Sequence, residues 1–241
     1  MGYRDFPPPS HLRDLVECAW VVDGPPEPVR VLPDGCMDLI RMSGRIVVAG
    51  PDTTALLSPR NREAFAGLRF RPGALPRLLG VPAAALRDNR VALTDLGVKC
   101  SRDRTLIELT TALASDEPAK ETAPWSLHQL RRITYSLGNG AAVSDVARHT
   151  GWSSRTLQRQ CAAVYGYGPA MLRRILRFRR AARLLDDGVS AADAAAAAGY
   201  ADQPHLHREV RELTGMPLAS LRQGSGQKRS THVPSGSVTV A

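Results

Sequence analysis

Val143-Ser144-Asp145-Val146-Ala147-Arg148-His149-Thr150-Gly151-Trp152-Ser153-Ser154-Arg155-Thr156-Leu157-Gln158-Arg159-Gln160-Cys161-Ala162-Ala163-Val164 is the stretch whose reading decides the fold. Val143, Val146 and Ala147 share the inner side of a short helix. Gly151, lacking Cβ, permits a tight turn and a close helix approach. A second helix is expected from Ser153 to Val164, with Leu157, Cys161 and Val164 at core spacing. Short helix, glycine turn and second helix make a helix-turn-helix plan.

On that second helix Arg155, Gln158 and Arg159 stand at i, i+3 and i+4, away from Leu157 and Cys161. Arg pairs with guanine and Gln with adenine at base edges in a major groove. A solvated polar face is the alternative that any surface helix offers. The plan recurs downstream. Ser190 to Ala198 is another short helix, and Gly199-Tyr200 answers Gly151-Trp152. Leu206, Arg208, Val210, Leu213 and Gly215 answer Leu157, Arg159, Cys161, Val164 and Gly166, with one residue inserted after the glycine. Gln203, His205, His207 and Arg208 surround the second outward surface, and an internal duplication of this kind is hard to reach by chance. Histidines at i and i+2 do not share a helical face, which argues against a metal site at His205 and His207.

Between the copies, Pro169 starts a helix that runs to about Asp187 and stops at Gly188. Leu172, Ile175, Leu176 and Leu184 supply its apolar contacts. Arg173, Arg174, Arg177, Arg179, Arg180 and Arg183 make it strongly basic, serving either phosphate contact or acidic pairing. At ~1.5 Å per residue it spans roughly 28 Å, near the ~34 Å of one DNA turn. Upstream, Ser126 caps a helix with Leu127, Leu130, Ile133, Thr134 and Leu137 on one face, stopped by Gly138-Asn139-Gly140.

Charge agrees with this division. Residues 1–124 hold 16 Lys/Arg and 16 Asp/Glu, while residues 125–241 hold 16 against 7, so the whole +9 lies in the second part. A field concentrated on one domain attracts a polyanion, and counterion release adds affinity.

The quoted stretch from Gly151 to Arg159, together with Gly199-Tyr200-Ala201-Asp202-Gln203 and Leu206-His207-Arg208, resembles the DNA-binding domain of the AraC/XylS family. The likeness covers about 97 residues, 126–222, and implies a seven-helix double helix-turn-helix that binds promoter or operator DNA. It places Arg155, Gln158, Arg159, Gln203, His205 and Arg208 at base-contacting positions. It further implies RNA polymerase as a partner of an activator, a small-molecule effector, and a second copy of the chain in a homodimer. Three departures stand out. Pro217 comes one residue early after Gly215, Cys161 and Val210 replace a common core Phe, and Pro204 opens the second recognition helix.

The first part reads as β-rich. Cys18 to Val22, Val29 to Leu32, Cys36 to Ile40, Arg45 to Val48 and Ala64 to Phe70 are strand-like runs separated by Pro25-Pro26, Pro33-Asp34-Gly35 and Ser43-Gly44. Helical pieces follow at Ala74 to Leu79, at Pro82 to Arg87 with Pro82 in the first turn, and at roughly Asp103 to Ala114. Leu32-Pro33-Asp34-Gly35-Cys36-Met37-Asp38-Leu39-Ile40 and Phe70-Arg71-Pro72-Gly73 resemble a β-rich domain that precedes this module in other regulators, implying sensing or dimerisation. The expected organisation is α+β: a sensor-like domain over 1–118, a linker over 119–125 at the end of the polar stretch Ser115 to Pro124, the DNA-binding domain over 126–222 and a disordered tail over 223–241.

An enzyme is the competing class. A barrel with metal chemistry needs clustered His and carboxylate ligands, yet residues 1–124 carry one histidine, His11. An alkyl-accepting cysteine needs an activated thiolate, whereas Cys36 lies between Asp34 and Asp38. Cys18, Cys36, Cys100 and Cys161 are scattered, without C-x-x-C spacing, as in a reducing cytoplasm. Trp20, Trp125 and Trp152 read as packing residues. No apolar h-region opens the chain and no tract approaches the ~18 apolar residues of a membrane span. Neither a catalytic residue nor a metal or cofactor is expected, and the location is cytoplasmic.

Overall fold

The computed structural model describes residues 3–23, 28–58, 63–101, 103–223 and 232–233. Six strands form one antiparallel sheet: β1 (Tyr3–Phe6), β2 (Val16–Val22), β4 (Met37–Met42), β5 (Arg45–Ala49), β7 (Phe65–Phe70) and β8 (Arg90–Ala92), in the order β1-β2-β7-β4-β5-β8. A smaller sheet pairs β3 (Val29–Val31) antiparallel with β6 (Leu56–Ser58) and parallel with β9 (His232–Val233). The tail expectation for 223–241 therefore meets one exception at His232–Val233, Gln223 closes a helix, and the rest lies outside the described residues.

Period-two alternation gives the large sheet two different faces. Leu39, Ile46, Val48, Leu68 and Phe70 point to one side, where α1 (Ala74–Leu79), α2 (Ala83–Leu86) and α3 (Leu106–Ser115) bury them with Leu75, Leu86 and Leu109. Cys18, Trp20, Val22 and Phe65 face the other side with Ile40 and Met42 packed beside them. The change of face within β2 occurs at Glu17. Val16 pairs with Phe70 and Cys18 with Arg69, so Glu17 is the extra residue of a bulge, which turns its carboxylate out of the ladder. Gly67 lies under Trp20: a Cβ there would fall 2.4 Å from the indole.

Pro82 is the N-cap of α2, with ψ 132°, and stands outside the first turn. Helix α3 starts later than its polar lead-in suggests because Thr105 and Glu108 form a reciprocal capping box. The segment after α3 is only partly a free linker, since Thr122 and Trp125 are buried.

Seven helices follow: α4 (Leu127–Gly138), α5 (Val143–Thr150), α6 (Ser154–Tyr165), α7 (Pro169–Asp186), α8 (Ala191–Ala198), α9 (Gln203–Thr214) and α10 (Leu218–Gln223). Ser126, Ser153, Ser190 and Asp202 cap α4, α6, α8 and α9 with side-chain oxygens, each satisfying an otherwise unpaired first-turn N–H. One core unites Leu130, Ile133, Leu137, Val146, Leu157, Cys161, Val164, Leu172 and Ile175. A second joins Phe178, Ala181, Leu185, Ala194, Ala195, Leu206, Val210 and Leu213. Helix α7 contributes to both, at about 27 Å for its 18 residues. Its second half buries Phe178, Ala181 and Leu185, and Leu184 is only partly covered. The apolar stripe is thus one residue away from the position expected near the C-terminus. Among the described residues no helix is long and apolar enough to cross a membrane.

Candidate nucleic-acid interface

The two copies superpose in length as well as in sequence. Helices α5 and α8 are both 8 residues long, and α6 and α9 are both 12. Each first helix ends on a glycine with positive φ, Gly151 at 71° and Gly199 at 81°, a backbone state that costs other residues dearly. In each, the residue after the glycine donates its N–H back into the helix, Trp152 to Ala147 O and Tyr200 to Ala195 O. The inserted residue lies in the second turn, where Ala201-Asp202 replaces Ser153 before the next helix begins.

That register fixes which side chains correspond. Arg155 matches Pro204, Thr156 matches His205, Gln158 matches His207, and Arg159 matches Arg208. Arg155, Gln158 and Arg159 are all exposed on α6, as are Gln203, His207 and Arg208 on α9. The expected α6 triad is therefore together on one open face. Gln158 lies folded over the α6–α7 turn, its amide nitrogen 2.1 Å from where a Cβ on Gly168 would be. His205 departs from the expected set. It is half-buried, its ring meets Tyr200 edge-on at 5.1 Å, and its Nδ1 accepts from the Ala201 N–H at 3.4 Å. Its counterpart Thr156 likewise bonds within its cap, to Ser153 Oγ at 3.0 Å. His207 takes the outward place, with its Nε2 3.3 Å from Gln203 Nε2. Of the two histidines at i and i+2 on α9, the outward one is thus His207, while His205 turns back onto the cap.

The arginines of α7 are largely structural. Arg174 pairs with Glu209 at 2.9 Å and with Glu212. Arg177 pairs with Glu209 at 2.7 Å and stacks its guanidinium over the Tyr200 ring at 4.3 Å. Arg180 donates to Asn139 Oδ1 at 3.1 Å, tying α7 to the end of α4. Arg174 and Arg177 thus fix the second unit on the linking helix, and Arg180 fixes the end of α4.

Arg179 reaches the other domain. It pairs with Glu17 at the β2 bulge, and its Nη1 lies 3.5 Å from Cys36 Sγ. Burial disfavours the Glu17 carboxylate, yet Arg179 and Arg69 outweigh that cost and hold its pKa below the ordinary value. Further ties surround this pair. Arg77 donates to Trp125 O at 2.8 Å, Arg87 to Gly166 O at 3.3 Å, and Arg30 to Thr214 O at 3.2 Å. The Ala55 N–H donates to Leu213 O at 2.7 Å, and Leu32 enters the second helical core. The N-terminal domain therefore touches the first unit, the linking helix and the second unit while both outward faces stay exposed. Trp125 and Trp152 stack at 5.2 Å within the first unit, as packing groups.

The three buried cysteines, Cys18, Cys36 and Cys161, show no activation. Burial raises Cys36 well above the ordinary thiol range, with Asp34 and Glu17 adding to the shift, the reverse of what a nucleophilic thiolate requires. Burial pushes Cys161 up to about 12 and Cys18 up to about 11.

Residues 146–224 match a family described as a helix-turn-helix domain, and residues 4–92 match one described as a domain of unknown function, DUF6597. In fold the chain is similar to ToxT from Vibrio cholerae O395, at 8% identity over 87% of this chain and 97% of that one, with a TM-score of 0.48. A second ToxT structure from Vibrio cholerae gives 9% identity, 92% and 98% coverage, and a TM-score of 0.45. No curated protein matches the chain by sequence.

Proposed function

We propose that the chain is a DNA-binding transcription regulator of the AraC/XylS type, with its helix-turn-helix domain in the C-terminal half, and that it reads its site with both helix pairs. Arg155, Gln158 and Arg159 on α6 face one major groove, and Gln203, His207 and Arg208 on α9 face the next. Helix α7 sets the separation, at about 27 Å against ~34 Å for a turn of B-form DNA. One copy of the chain thereby reads two short boxes of a double-stranded operator. The observation that carries this reading is the register itself: two equal helix pairs, each presenting an exposed triad, packed on one linking helix by an apolar core, with Arg174 and Arg177 pairing Glu209 in the second. His205 serves the α9 cap instead of a base.

The N-terminal domain modulates that reading. It contacts both units and the helix between them, so any change in its own packing is felt by the separation of the two reading faces. A small-molecule effector is the natural input, with RNA polymerase the partner of an activator and a second copy the partner in a homodimer. Such a regulator works in the cytoplasm, where its DNA is.

Selection of bound sequences from a random duplex pool by the full chain defines the operator. Fluorescence anisotropy on that operator, at one fixed salt concentration, then compares wild type with Arg155→Ala and Arg159→Ala. Each loses about 1–3 kcal/mol on the selected operator and relaxes preference at one position. Unchanged affinity and unchanged preference in both variants would remove the assignment.

A further inference from the structure

A cavity of about 390 Å³ lies between the outer face of the large sheet and the small sheet, within the range of small-molecule sites. Its upper walls are apolar, including Trp20, Val22, Ile40, Met42, Leu57 and Phe65. Its floor holds three carboxylates, Asp34, Asp38 and Asp52, against two guanidinium groups, Arg69 and Arg90.

The floor's hydrogen bonds do not balance. Arg90 grips both oxygens of Asp52, at 2.8 and 2.6 Å. Asp38 accepts from Trp20 Nε1 at 2.7 Å and lies 3.3 Å from Arg69 Nε. Arg69 also donates to the Tyr3 hydroxyl at 3.3 Å. Asp34 accepts the Cys36 N–H on Oδ1 at 2.9 Å, while its Oδ2 is buried without a hydrogen-bond partner, 3.9 Å from Arg69 Nε. Both guanidinium groups already face carboxylates, and three carboxylates against two guanidinium groups leave one negative charge in excess; Arg69 Nε, like Asp34 Oδ2, is buried without a hydrogen-bond partner. One buried carboxylate oxygen does lack a donor, and leaving such a group unpaired costs about 1–3 kcal/mol or more.

We propose that this cavity binds a small molecule with an apolar, ring-bearing body and a cationic nitrogen head, the head donating to Asp34 Oδ2. The proposal deepens the modulating role given above to the N-terminal domain by naming the chemistry of its ligand. Charge and shape both select this class. The excess carboxylate takes the ammonium and the apolar walls take the body. Asp34 also lies on the loop that meets α7: Gly35 is packed against Tyr167, Leu172 and Leu176. An occupant at Asp34 thus bears on the backbone that rests on the linking helix.

Groups facing Asp34 come from every neighbouring element: Arg69 on β7, Asp38 on β4, Cys36 on its own loop, Arg179 on α7 and Tyr167 before it, with Glu17 on β2 beside Arg179. Burial pushes the Asp34 carboxyl up to about 7, with Arg69 and then Arg179 opposing. A cationic head needs the ionised form, so its binding strengthens as pH rises through 7 and releases a proton below it.

Isothermal titration of the full chain with phenylbutylamine, phenylbutanol and phenylbutanoate tests the idea with one body and three heads. The amine binds at least tenfold more tightly than either other probe, falls to the alcohol's level in Asp34→Asn, and gains about tenfold in wild type from pH 6 to pH 8. Should Asp34→Asn fail to fold, the wild-type probe ranking and pH dependence decide alone. Tightest binding of the carboxylate, equal binding of amine and alcohol, or binding of none of the three overturns the proposal. Operator affinity of the same preparation, which uses α6 and α9, separates that failure from a failure of the DNA-reading assignment.

Discussion

Glu17, the extra residue of the β2 bulge, forms a buried ion pair with Arg179 of α7, and this pair joins the sensor-like sheet to the helix that spaces the two reading units. The carboxylate reaches α7 only because the bulge turns it from the sheet. Arg179 in turn has Cys36 of the Asp34 loop as its other neighbour. The basic face of α7, which by charge alone suits phosphate, is thus partly a docking surface for the chain's own domain.

Removing one partner of that pair leaves a charge buried. Glu17→Ala should cost about 3–5 kcal/mol of stability, the usual penalty for a half-broken buried pair. The sign of the acid response follows from the lowered folded-state pKa of Glu17, whose ordinary value is 4.5. Stabilisation is complete above about pH 4.5 and fades as acid protonates the folded carboxylate. Urea denaturation at several pH values should show wild type losing stability below pH 4.5 more steeply than Glu17→Gln. Parallel acid profiles for the two proteins contradict the assignment.

Glu209 is the shared acceptor of Arg174 and Arg177, itself buried on α9. Glu209→Gln removes the charge from two charge-assisted bonds, each worth about 1.5–3 kcal/mol. The second unit should loosen on α7 while α5 and α6 keep their packing. Affinity for an operator with both boxes should fall at least fivefold, with binding to a duplex carrying only the α6 box little changed. Equal losses on both duplexes would show that Glu209 acts on the whole domain.

Both helix pairs could be read from the sequence because their signals are local: serine or aspartate caps, a glycine stop and apolar residues at helical spacing. The longer strands were legible from alternation between turn residues. Strands β6 and β8 were missed because Leu56-Leu57-Ser58 and Arg90-Val91-Ala92 do not alternate, unlike the equally short Val29-Arg30-Val31 of β3. β1 was missed because Tyr3–Phe6 alternates Tyr and Asp with exposed Arg and Phe. The partners of the α7 arginines were hidden for a different reason. Glu17 lies 162 residues from Arg179 and Glu209 lies 32 from Arg177, and no local pattern encodes such a pairing. Of the six expected contact residues, Arg155, Gln158, Arg159, Gln203 and Arg208 lie exposed on α6 and α9, whereas His205 is half-buried against Tyr200, a contact that the spacing of residues along α9 does not announce.

Gly67 tests the cavity wall. A methyl there would meet the Trp20 indole at 2.4 Å, and overpacking of this kind costs about 1–3 kcal/mol. Gly67→Ala should therefore lower the melting temperature and push the indole toward the space between the sheets. Phenylbutylamine affinity should fall, and the near-ultraviolet dichroism of the protein should change. Unaltered dichroism together with unaltered stability would mean that Trp20 does not lie flat on β7.

His207 and His205 differ in a way that base selection can resolve. His207 is exposed one turn after Gln203, while His205 accepts the Ala201 N–H and packs on Tyr200. His207→Ala should cost about 1–3 kcal/mol on the operator and relax preference at one position of the second box. His205→Ala should leave base preference intact and lower thermal stability by about 0.5–2 kcal/mol through its loss at the helix start. The two effects fall on separate measurements, so parallel selections with the two variants assign each side chain. Altered preference in His205→Ala with none in His207→Ala would reverse the register of the second reading helix and return His205 to the groove.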